Sequence, residues 1–347
     1  MKVLIVKTSA LGDIVHALPV LDLIRGSCPD AAVDWLAEEP FAPLLAAHPF
    51  IHRVHPINTR LWRRNGNLRV AWIAACRAVQ DLRKERYDLL LDLQGNCKSG
   101  FFAFFSGAPL RFGFDLKAAR EWPNLFATNV RTALSRADYH ITDRSLRIAA
   151  RAFPGRVEQV IPSRLLPDPV YTSKVVSQLE AEKLFGKKLV LIHSGTTWKT
   201  KRFSLELWQE IAAGLCNDGD VHLLLTWANP GELNTARIIQ EGLPECASVW
   251  PKVDLSELMA LLSNVDLVIG GDTGPVHIAA ALGVPTVSLF RATHALRNGP
   301  RGSNHICLQS PLKCSPCLLK HCSLDSRCSN SIEAHAVLEA ARALLAA

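Results

Sequence analysis

Short apolar runs that alternate with helical patterns are the feature of this sequence that most restricts its fold. Such alternation is typical of parallel strands joined by crossover helices. We predict strands at residues 3–6, 33–36, 89–93 and 110–114, and again at 189–193, 221–227, 267–270 and 286–290. Helical spacing covers residues 14–24, 205–215, 255–262 and 332–345. The pattern therefore predicts an α/β protein that contains two doubly wound parallel sheets.

The chain is long enough for two domains, since 347 residues exceed what one hydrophobic core usually supports. Residues 161–169 carry three prolines and break the periodicity, which is typical of a linker. We predict two Rossmann-like domains at residues 1–165 and 166–330, followed by a C-terminal helix at 331–347. A ligand crevice is expected between two such domains, facing the carboxyl ends of both sets of strands.

The composition indicates an ordinary globular protein, because hydrophobic residues make up 48% and charged residues 20%. No apolar stretch approaches the ~18 to 20 residues that span a bilayer, and a charge follows the first four apolar residues of the chain. We therefore expect a cytoplasmic protein. The ten cysteines are expected to be reduced thiols, because disulfides are rare in that compartment.

Basic residues concentrate between His52 and Arg86, although the whole chain has a net charge of only +7. This stretch holds two acidic residues, Asp81 and Glu85, against nine basic ones: Arg53, Arg60, Arg63, Arg64, Arg69, Arg77, Arg83, Lys84 and Arg86. Residues 77–86 have the pattern of a solvated amphipathic helix. Residues 60–69 include Asn65, Gly66 and Asn67, and we interpret them as a loop. Such a patch fits nucleic acid, an acidic membrane surface or an acidic substrate.

The segment after the first predicted strand is a candidate catalytic loop. Ligands of open α/β sheets bind where a strand ends and a helix begins. Gly12 permits close backbone approach there, and Asp13 offers a carboxylate. An equally good interpretation from the pattern makes Asp13 the N-cap of the next helix. The segment lacks GxGxxG, which argues against a dinucleotide site.

Two further strand ends, both in the second half, suit phosphate. Residues 268–277 (VIGGDTGPVH) lead from a strand into a helix near Pro275, where free backbone amides and the helix dipole attract anions. Residues 193–202 (HSGTTWKTKR) add hydroxyls and three cations after another strand. An ordinary capped turn and a solvated basic loop are the simpler explanations. Together, however, the two loops favour a diphosphate site.

Half of the cysteines lie between Cys307 and Cys328. A CxxC at Cys314 and Cys317, followed by Cys322, raises the possibility of zinc or an iron–sulfur cluster. The later spacings match no standard metal site, so we favour a structural loop.

These motifs taken together resemble the lipopolysaccharide heptosyltransferase family, which is glycosyltransferase family 9, and its heptosyltransferase I branch most closely. Residues 7–19 (KTSALGDIVHALP) and 272–277 (DTGPVH) carry the resemblance, with support from 34–39 (DWLAEE), 92–95 (DLQG) with Lys98, 119–121 (ARE), and Lys201 seven residues before Trp208. The likeness spans nearly the whole chain, and the motifs are specific as a set.

The resemblance implies a GT-B fold, in which two Rossmann-like domains face a central cleft. It implies an inverting, metal-independent transfer from ADP-L-glycero-D-manno-heptose that uses no cofactor. Asp13 would be the catalytic base. The implied donor-binding residues are Thr196, Thr197, Lys201, Glu232, Asp272, Thr273, Gly274 and His277.

The resemblance also implies an acceptor, the Kdo residue of Kdo-lipid A, and peripheral contact with the cytoplasmic face of the inner membrane. The implied acceptor-binding residues are Arg60, Arg63, Arg64, Lys98 and Arg120. The cysteine-rich stretch departs from the heptosyltransferase I pattern and looks more like heptosyltransferase II. A core heptosyltransferase that acts on an already heptosylated acceptor is therefore the alternative.

Two other functions would share parts of this pattern. A nucleotide-sugar epimerase would share the architecture and the diphosphate site, but it would have no use for the basic cluster. A nucleic-acid-binding protein could use Arg53 to Arg86 with Trp62 and Trp72 stacked on bases. No nucleic-acid motif accompanies the charge, and both phosphate loops would then go unused. We therefore expect no nucleic-acid partner.

Overall fold

The computed structural model describes residues 1–64, 66, 68–154, 164–184 and 186–347. Within these residues the chain divides into two compact units, Met1–Leu166 and Pro167–Ala347. Each unit is built around one six-stranded sheet in which every strand pairing is parallel. The predicted α/β class with two doubly wound sheets is confirmed. Residues 161–163 of the predicted linker lie outside the described residues.

Unit 1 has the strand order β3-β2-β1-β4-β5-β6. Its strands are β1 (Lys2–Val6), β2 (Ala32–Glu38), β3 (Arg53–Ile57), β4 (Leu89–Asp92), β5 (Leu110–Phe114) and β6 (Val130–Thr132). Its helices are α1 (Leu11–Val15), α2 (Pro19–Ser27), α3 (Ala42–Ala46), α4 (Thr59–Arg64), α5 (Leu68–Lys84), α6 (Cys97–Phe105) and α7 (Ile141–Ala149).

Unit 2 repeats this arrangement with the order β12-β11-β10-β7-β8-β9. Its strands are β7 (Lys188–His193), β8 (Val221–Leu225), β9 (Ala247–Val249), β10 (Leu267–Gly271), β11 (Thr286–Phe290) and β12 (His305–Gln309). Its helices are α8 (Pro169–Ala181), α9 (Leu205–Cys216), α10 (Pro230–Glu241), α11 (Leu255–Leu262), α12 (Gly274–Leu282), α13 (Ala295–Asn298), α14 (Asp325–Ser329) and α15 (Ala334–Leu345).

Apolar side chains on the sheet faces form the cores. In unit 1, Leu4 and Leu90 of the sheet pack with Leu82 of α5 and Phe102 of α6. In unit 2, strands β7, β8 and β10 pack against α9 and α15, with Trp208 among the fully buried side chains. Helices α9 and α15 approach so closely at Gly214 that a Cβ there would lie 2.5 Å from a methyl carbon of Leu338. The C-terminal helix is thus part of the core of unit 2.

The predicted loop at residues 60–69 is wrong, because α4 and the first turn of α5 cover most of it. Asn58 precedes α4, and its side-chain oxygen accepts a hydrogen bond from the backbone N–H of Leu61 at 2.9 Å. Trp62 of α4 packs against the core of unit 1. Asn58 thus caps the start of α4, and the sequence pattern alone did not distinguish this helix from a loop.

Two other predictions need correction. The single helix predicted at residues 14–24 is two helices, and α2 begins at Pro19 because proline lacks the N–H that a helix interior requires. The prediction that the cysteines are reduced is wrong for Cys216 and Cys246, which form a disulfide. The end of α9 and the start of β9 bring the Cα atoms of these two cysteines to 5.9 Å, a separation that a disulfide can bridge.

No helix within the described residues is long and apolar enough to cross a bilayer.

Asp34 on β2 is a buried carboxylate that stabilises unit 1. It accepts a hydrogen bond from the Tyr87 hydroxyl at 2.7 Å, and rings of His52 and His55 lie 2.9 and 3.3 Å from its oxygens. Burial alone would raise the pKa of Asp34, but the hydrogen bonds from His55, Tyr87 and His52 outweigh it, so the pKa is lowered. The folded state therefore favours the ionised carboxylate.

Replacing Asp34 by Asn should lower the free energy of unfolding at pH 7 by about 2 kcal/mol. Because the pKa is lower in the folded state, this contribution is complete above the unfolded value of ~3.9 and is lost as pH falls through the folded value. Urea unfolding is measured at pH 7 and at steps down to pH 3. The difference in the free energy of unfolding between wild type and variant should become smaller as the pH falls. The matched control is Asp30→Asn, at an exposed residue. A gap at pH 7 no larger than that of the control would contradict the prediction.

Candidate functional site

The segment that follows β1, a short loop and helix α1, places Asp13 at the carboxyl edge of the first sheet. Asp13 is the third residue of α1, and its carboxylate lies 3.4 Å from the backbone N–H of Ala10. The N-cap position belongs to Ala10, so the alternative that made Asp13 the N-cap is wrong. Its side chain is half-buried rather than sealed into the core. The carboxylate thus stands at a strand end, where it can meet a ligand.

A buried network holds this loop in place, formed by residues of the 7–19 and 92–95 motifs through contacts that those motifs did not predict. The side-chain oxygen of Gln94 accepts hydrogen bonds from the backbone N–H groups of Thr8 and Ser9 at 3.1 and 3.3 Å. The Lys7 ammonium donates to the backbone oxygen of Leu93 at 2.9 Å. These contacts join the loop after β1 to the turn after β4, the neighbouring strand.

The side chain of Asp92 holds the turn after β4 in place. It is fully buried and accepts hydrogen bonds from the backbone N–H groups of Gln94 and Gly95, both at 3.0 Å, and from the side chains of Ser99 and Asn124. Burial raises the pKa of Asp92, and these hydrogen bonds oppose the shift. Burial lowers the pKa of Lys7, which the negative charges of Asp13 and Asp92 oppose. Asp13 and Asp92 are thus the negative charges that act on the buried Lys7 side chain.

In unit 2, the two predicted phosphate loops meet at Asp272. This residue follows β10, and its oxygens lie 2.6 Å from the Lys201 ammonium and 2.9 Å from the ring nitrogen Nε2 of His277. The Thr293 hydroxyl donates a third hydrogen bond at 2.6 Å. Burial would raise the pKa of Asp272, but His277 and Lys201 outweigh it and hold the pKa well below its usual range. One ionised carboxylate thus joins the strand ends of β7, β10 and β11.

The start of α12 is shaped to receive an anion. Thr273 is its N-cap and Gly274 its first residue, so the backbone amides of the first turn have no partners within the helix. The Thr273 hydroxyl is buried and makes no hydrogen bond with any residue that the structure describes. A Cβ on Gly270 would lie 2.8 Å from the side chain of Val276, so the tight turn requires glycine there. Unused donors at a helix start favour a phosphate group.

Glu232 lies at the same carboxyl edge of the second sheet, after β8. It lies in the first turn of α10, and its carboxylate packs so closely on Gly195 that any Cβ there would overlap it. Burial lowers the pKa of His193, and the negative charge of Glu232 opposes the shift. Thr196 is buried and Thr197 is exposed in the same loop. All eight predicted donor-binding residues thus lie in the loops or first helical turns that follow β7, β8 and β10 of unit 2.

Arg291 also holds this site together, and no sequence motif predicted its role. It is 2% exposed, directly after β11, and its guanidinium donates to the backbone oxygens of Lys199 and Thr200 and to Asp325. Lys201, the next residue in that loop, is thereby held where its ammonium reaches Asp272. A single arginine after an apolar strand carries no recognisable signal, because its partners lie far away in the sequence.

The predicted acceptor-binding residues are more scattered. Lys98 in α6 is half-buried, and its ammonium pairs with Glu38 at 2.7 Å. Arg60 on α4 and Arg120 beside Glu121 are exposed. The side chains of Arg63 and Arg64 lie outside the described part of the structure. Among the described residues, no group of three or more His, Cys, Asp or Glu side chains is arranged to hold a metal ion.

Comparison with known proteins gives consistent matches. The family model of glycosyltransferase family 9 (heptosyltransferase) matches residues 75–327. Lipopolysaccharide heptosyltransferase 1 of Pseudomonas aeruginosa is 34% identical over 333 residues, covering 93% of this chain and 88% of the relative.

Two solved structures of E. coli heptosyltransferase WaaC are similar to this chain. The structure with ADP has a TM-score of 0.81 and 25% identity, covering 99% of this chain and 100% of that one. The structure with ADP-2-deoxy-2-fluoro heptose has a TM-score of 0.79 and the same identity, covering 99% of both chains.

We expect Thr273→Val to weaken binding of inorganic pyrophosphate about five- to tenfold, because it removes a donor worth ~1 kcal/mol to a ligand. The melting temperature should not fall, since the hydroxyl makes no hydrogen bond within the described protein. Isothermal titration calorimetry measures the affinity, and Thr273→Ser, which keeps the hydroxyl, is the matched control. Unchanged affinity in the valine variant would show that the hydroxyl does not contact the anion.

Proposed function

This chain belongs to glycosyltransferase family 9, the heptosyltransferases, and we propose that it transfers L-glycero-D-manno-heptose from ADP-heptose to the Kdo residue of Kdo-lipid A. This is the heptosyltransferase I reaction of lipopolysaccharide inner-core synthesis. The observation that carries the proposal is the cluster of Lys201, Asp272 and the α12 start in unit 2. The 34% identity to a lipopolysaccharide heptosyltransferase 1 supports this acceptor over a heptosylated one.

The proposed donor site explains why the cluster is polar and rigid. A diphosphate placed at the start of α12 would accept hydrogen bonds from the backbone amides there, including that of Gly274, and from the Thr273 hydroxyl. Lys201 would neutralise the charge that builds on the leaving ADP, while Asp272 and His277 keep Lys201 oriented. Glu232, with Thr196 and Thr197, would line the adenosine or sugar side. These contacts supply positive charge from the chain itself.

In the proposed reaction, an acceptor hydroxyl attacks the anomeric carbon of heptose while the bond from that carbon to the phosphate oxygen breaks. Asp13 accepts the hydroxyl proton, and ADP departs with the bonding electron pair. Displacement from the opposite face inverts the anomeric configuration. The buried network of Gln94 and Asp92 supports this role, because a base must be held within hydrogen-bond reach of its proton.

The acceptor is proposed to bind unit 1 through its phosphates and carboxylates, which suit Arg60, Arg63, Arg64, Lys98 and Arg120. Because that acceptor is a membrane lipid, we also propose peripheral contact with the cytoplasmic face of the inner membrane. Exposed Arg60 and Arg120 support this assignment.

Mass spectrometry tests the acceptor directly. The protein is incubated with ADP-heptose and either Kdo-lipid A or its mono-heptosylated form. We expect one heptose to be added to Kdo-lipid A and none to the heptosylated form. Addition to the heptosylated form alone would identify the heptosyltransferase II reaction instead, and no addition to either would overturn the proposal.

Asp13→Asn should reduce turnover by a factor of ~10² to 10⁴, because the amide cannot accept the acceptor's proton. The amide oxygen can still accept the hydrogen bond from Ala10, so the melting temperature and the affinity for ADP should stay close to wild type. Initial rates, thermal unfolding and ADP titration measure the three quantities. Asp30→Asn, at an exposed position, is the control. Near-normal transfer by a folded Asp13→Asn protein would remove Asp13 as the base.

A further inference from the structure

An open apolar groove of about 790 Å³ lies in unit 1, between α4, α5 and the start of α6. Aromatic and alanine side chains form most of its walls: Trp62, Ala71, Trp72, Ala75, Phe101 and Phe102. Its volume falls within the ~300 to 1,000 Å³ of small-molecule sites. A groove of this size, lined mainly by rings, suits a hydrocarbon ligand.

Polar groups enter the groove from the carboxyl edge of the sheet. Thr59 follows β3, Asn96 follows β4, and Lys98 lies one residue into α6. Asn96 is two residues from Gln94, whose side chain holds the loop that carries Asp13. The groove therefore begins at the edge where the acceptor is proposed to react.

The outer side of the groove continues into an exposed apolar face formed by α5 and α6. Trp72 is 60% exposed, and Phe104 and Phe105 are 53% and 43% exposed. Ring contacts link Trp72 to Phe101 and Phe101 to Phe105, with centroids 6.1 and 5.1 Å apart. Trp72 and Phe101 thus belong both to the groove and to this face. Large exposed aromatic patches of this kind mark interaction surfaces.

The charge around the groove complements an anionic lipid. Residues 59–84, which cover α4 and α5, contain six arginines and one lysine against a single acidic residue, and α6 contains one lysine and no acidic residue. One acidic side chain, that of Glu121, lines the groove near its polar end. Arg69 and Arg77 are exposed on α5 beside Val70, Trp72 and Ile73. Arginine next to exposed aliphatic and tryptophan side chains is the pattern of a helix that lies at a membrane interface.

We propose that this groove binds one acyl chain of the lipid acceptor while the acceptor's sugar lies at the carboxyl edge of the sheet. The inference rests on the proposed function, because the acceptor named there carries acyl chains. The acyl chain passes from the bilayer along the α5–α6 face into the groove. There its methylenes pack between the aromatic rings and remain out of contact with water. Unit 1 therefore recognises the hydrocarbon part of the acceptor as well as its charged groups.

Filling the groove tests this. Ala75→Phe and Ala71→Phe each place a ring inside it, and Gln80→Phe adds the same ring at an exposed position of α5 that does not line it. We expect both groove variants to raise KM for the acylated acceptor about tenfold, and to leave KM for a fully deacylated acceptor unchanged. The control should match wild type with both acceptors. An unchanged KM for the acylated acceptor in both groove variants would overturn the proposal.

A second measurement does not depend on transfer. The fluorescent fatty acid cis-parinaric acid is titrated into each protein without substrates, and we expect saturable binding that both groove variants weaken and the control retains. Equal binding by all four proteins would overturn the groove as an acyl-chain site.

If no acceptor were heptosylated while the groove variants still weakened probe binding, the proposed function would fail and the acyl-chain site would stand. If wild type bound the probe but had equal KM values for both acceptors, the assignment to the acceptor's own chain would fall.

Discussion

The parallel arrangement of every paired strand is the constraint on which the rest of this structure depends. Parallel strands place all their carboxyl ends at one edge, and each crossover helix begins there with unsatisfied amides. In unit 1 this geometry puts the loops after β1 and β4 side by side, where Gln94 can join them. In unit 2 it does the same for β7, β10 and β11, which Asp272 connects. Function follows from what each sheet can present at that edge.

The sequence pattern predicted the interior strands of each sheet and missed the edge strands. All eight predicted strands exist, and the four that were missed, β3, β6, β9 and β12, are the edge strands of the two sheets. An interior strand is covered on both faces and flanked on both sides, so it must be a continuous apolar run. An edge strand such as β3, with the sequence RVHPI, tolerates polar residues and proline because one side of it forms no ladder.

The candidate site divides along a similar physical line. Residues that act where a strand meets a helix, such as Asp13 and Thr273, stand in a local pattern that sequence alone displays. Gln94, Arg291 and Thr293 hold those loops from elsewhere, through contacts that span 21 to 92 positions of the chain. No local pattern predicts such partners, because parallel pairing decides which distant loops become neighbours. Sequence therefore locates ligand-facing groups better than the groups that keep them in place.

The carboxylate of Asp272 also affects which anions can bind to unit 2. Lys201 has a counterion within the chain 2.6 Å away, so any anion that binds there must compete with it. Sulfate or inorganic phosphate brings one compact group and gains little by sharing that cation. Two linked phosphates can share Lys201 and at the same time occupy Thr273 and the amides of α12. We expect the site to stay empty amid the common small anions of a cell and to discriminate by the number of anchoring points rather than by charge.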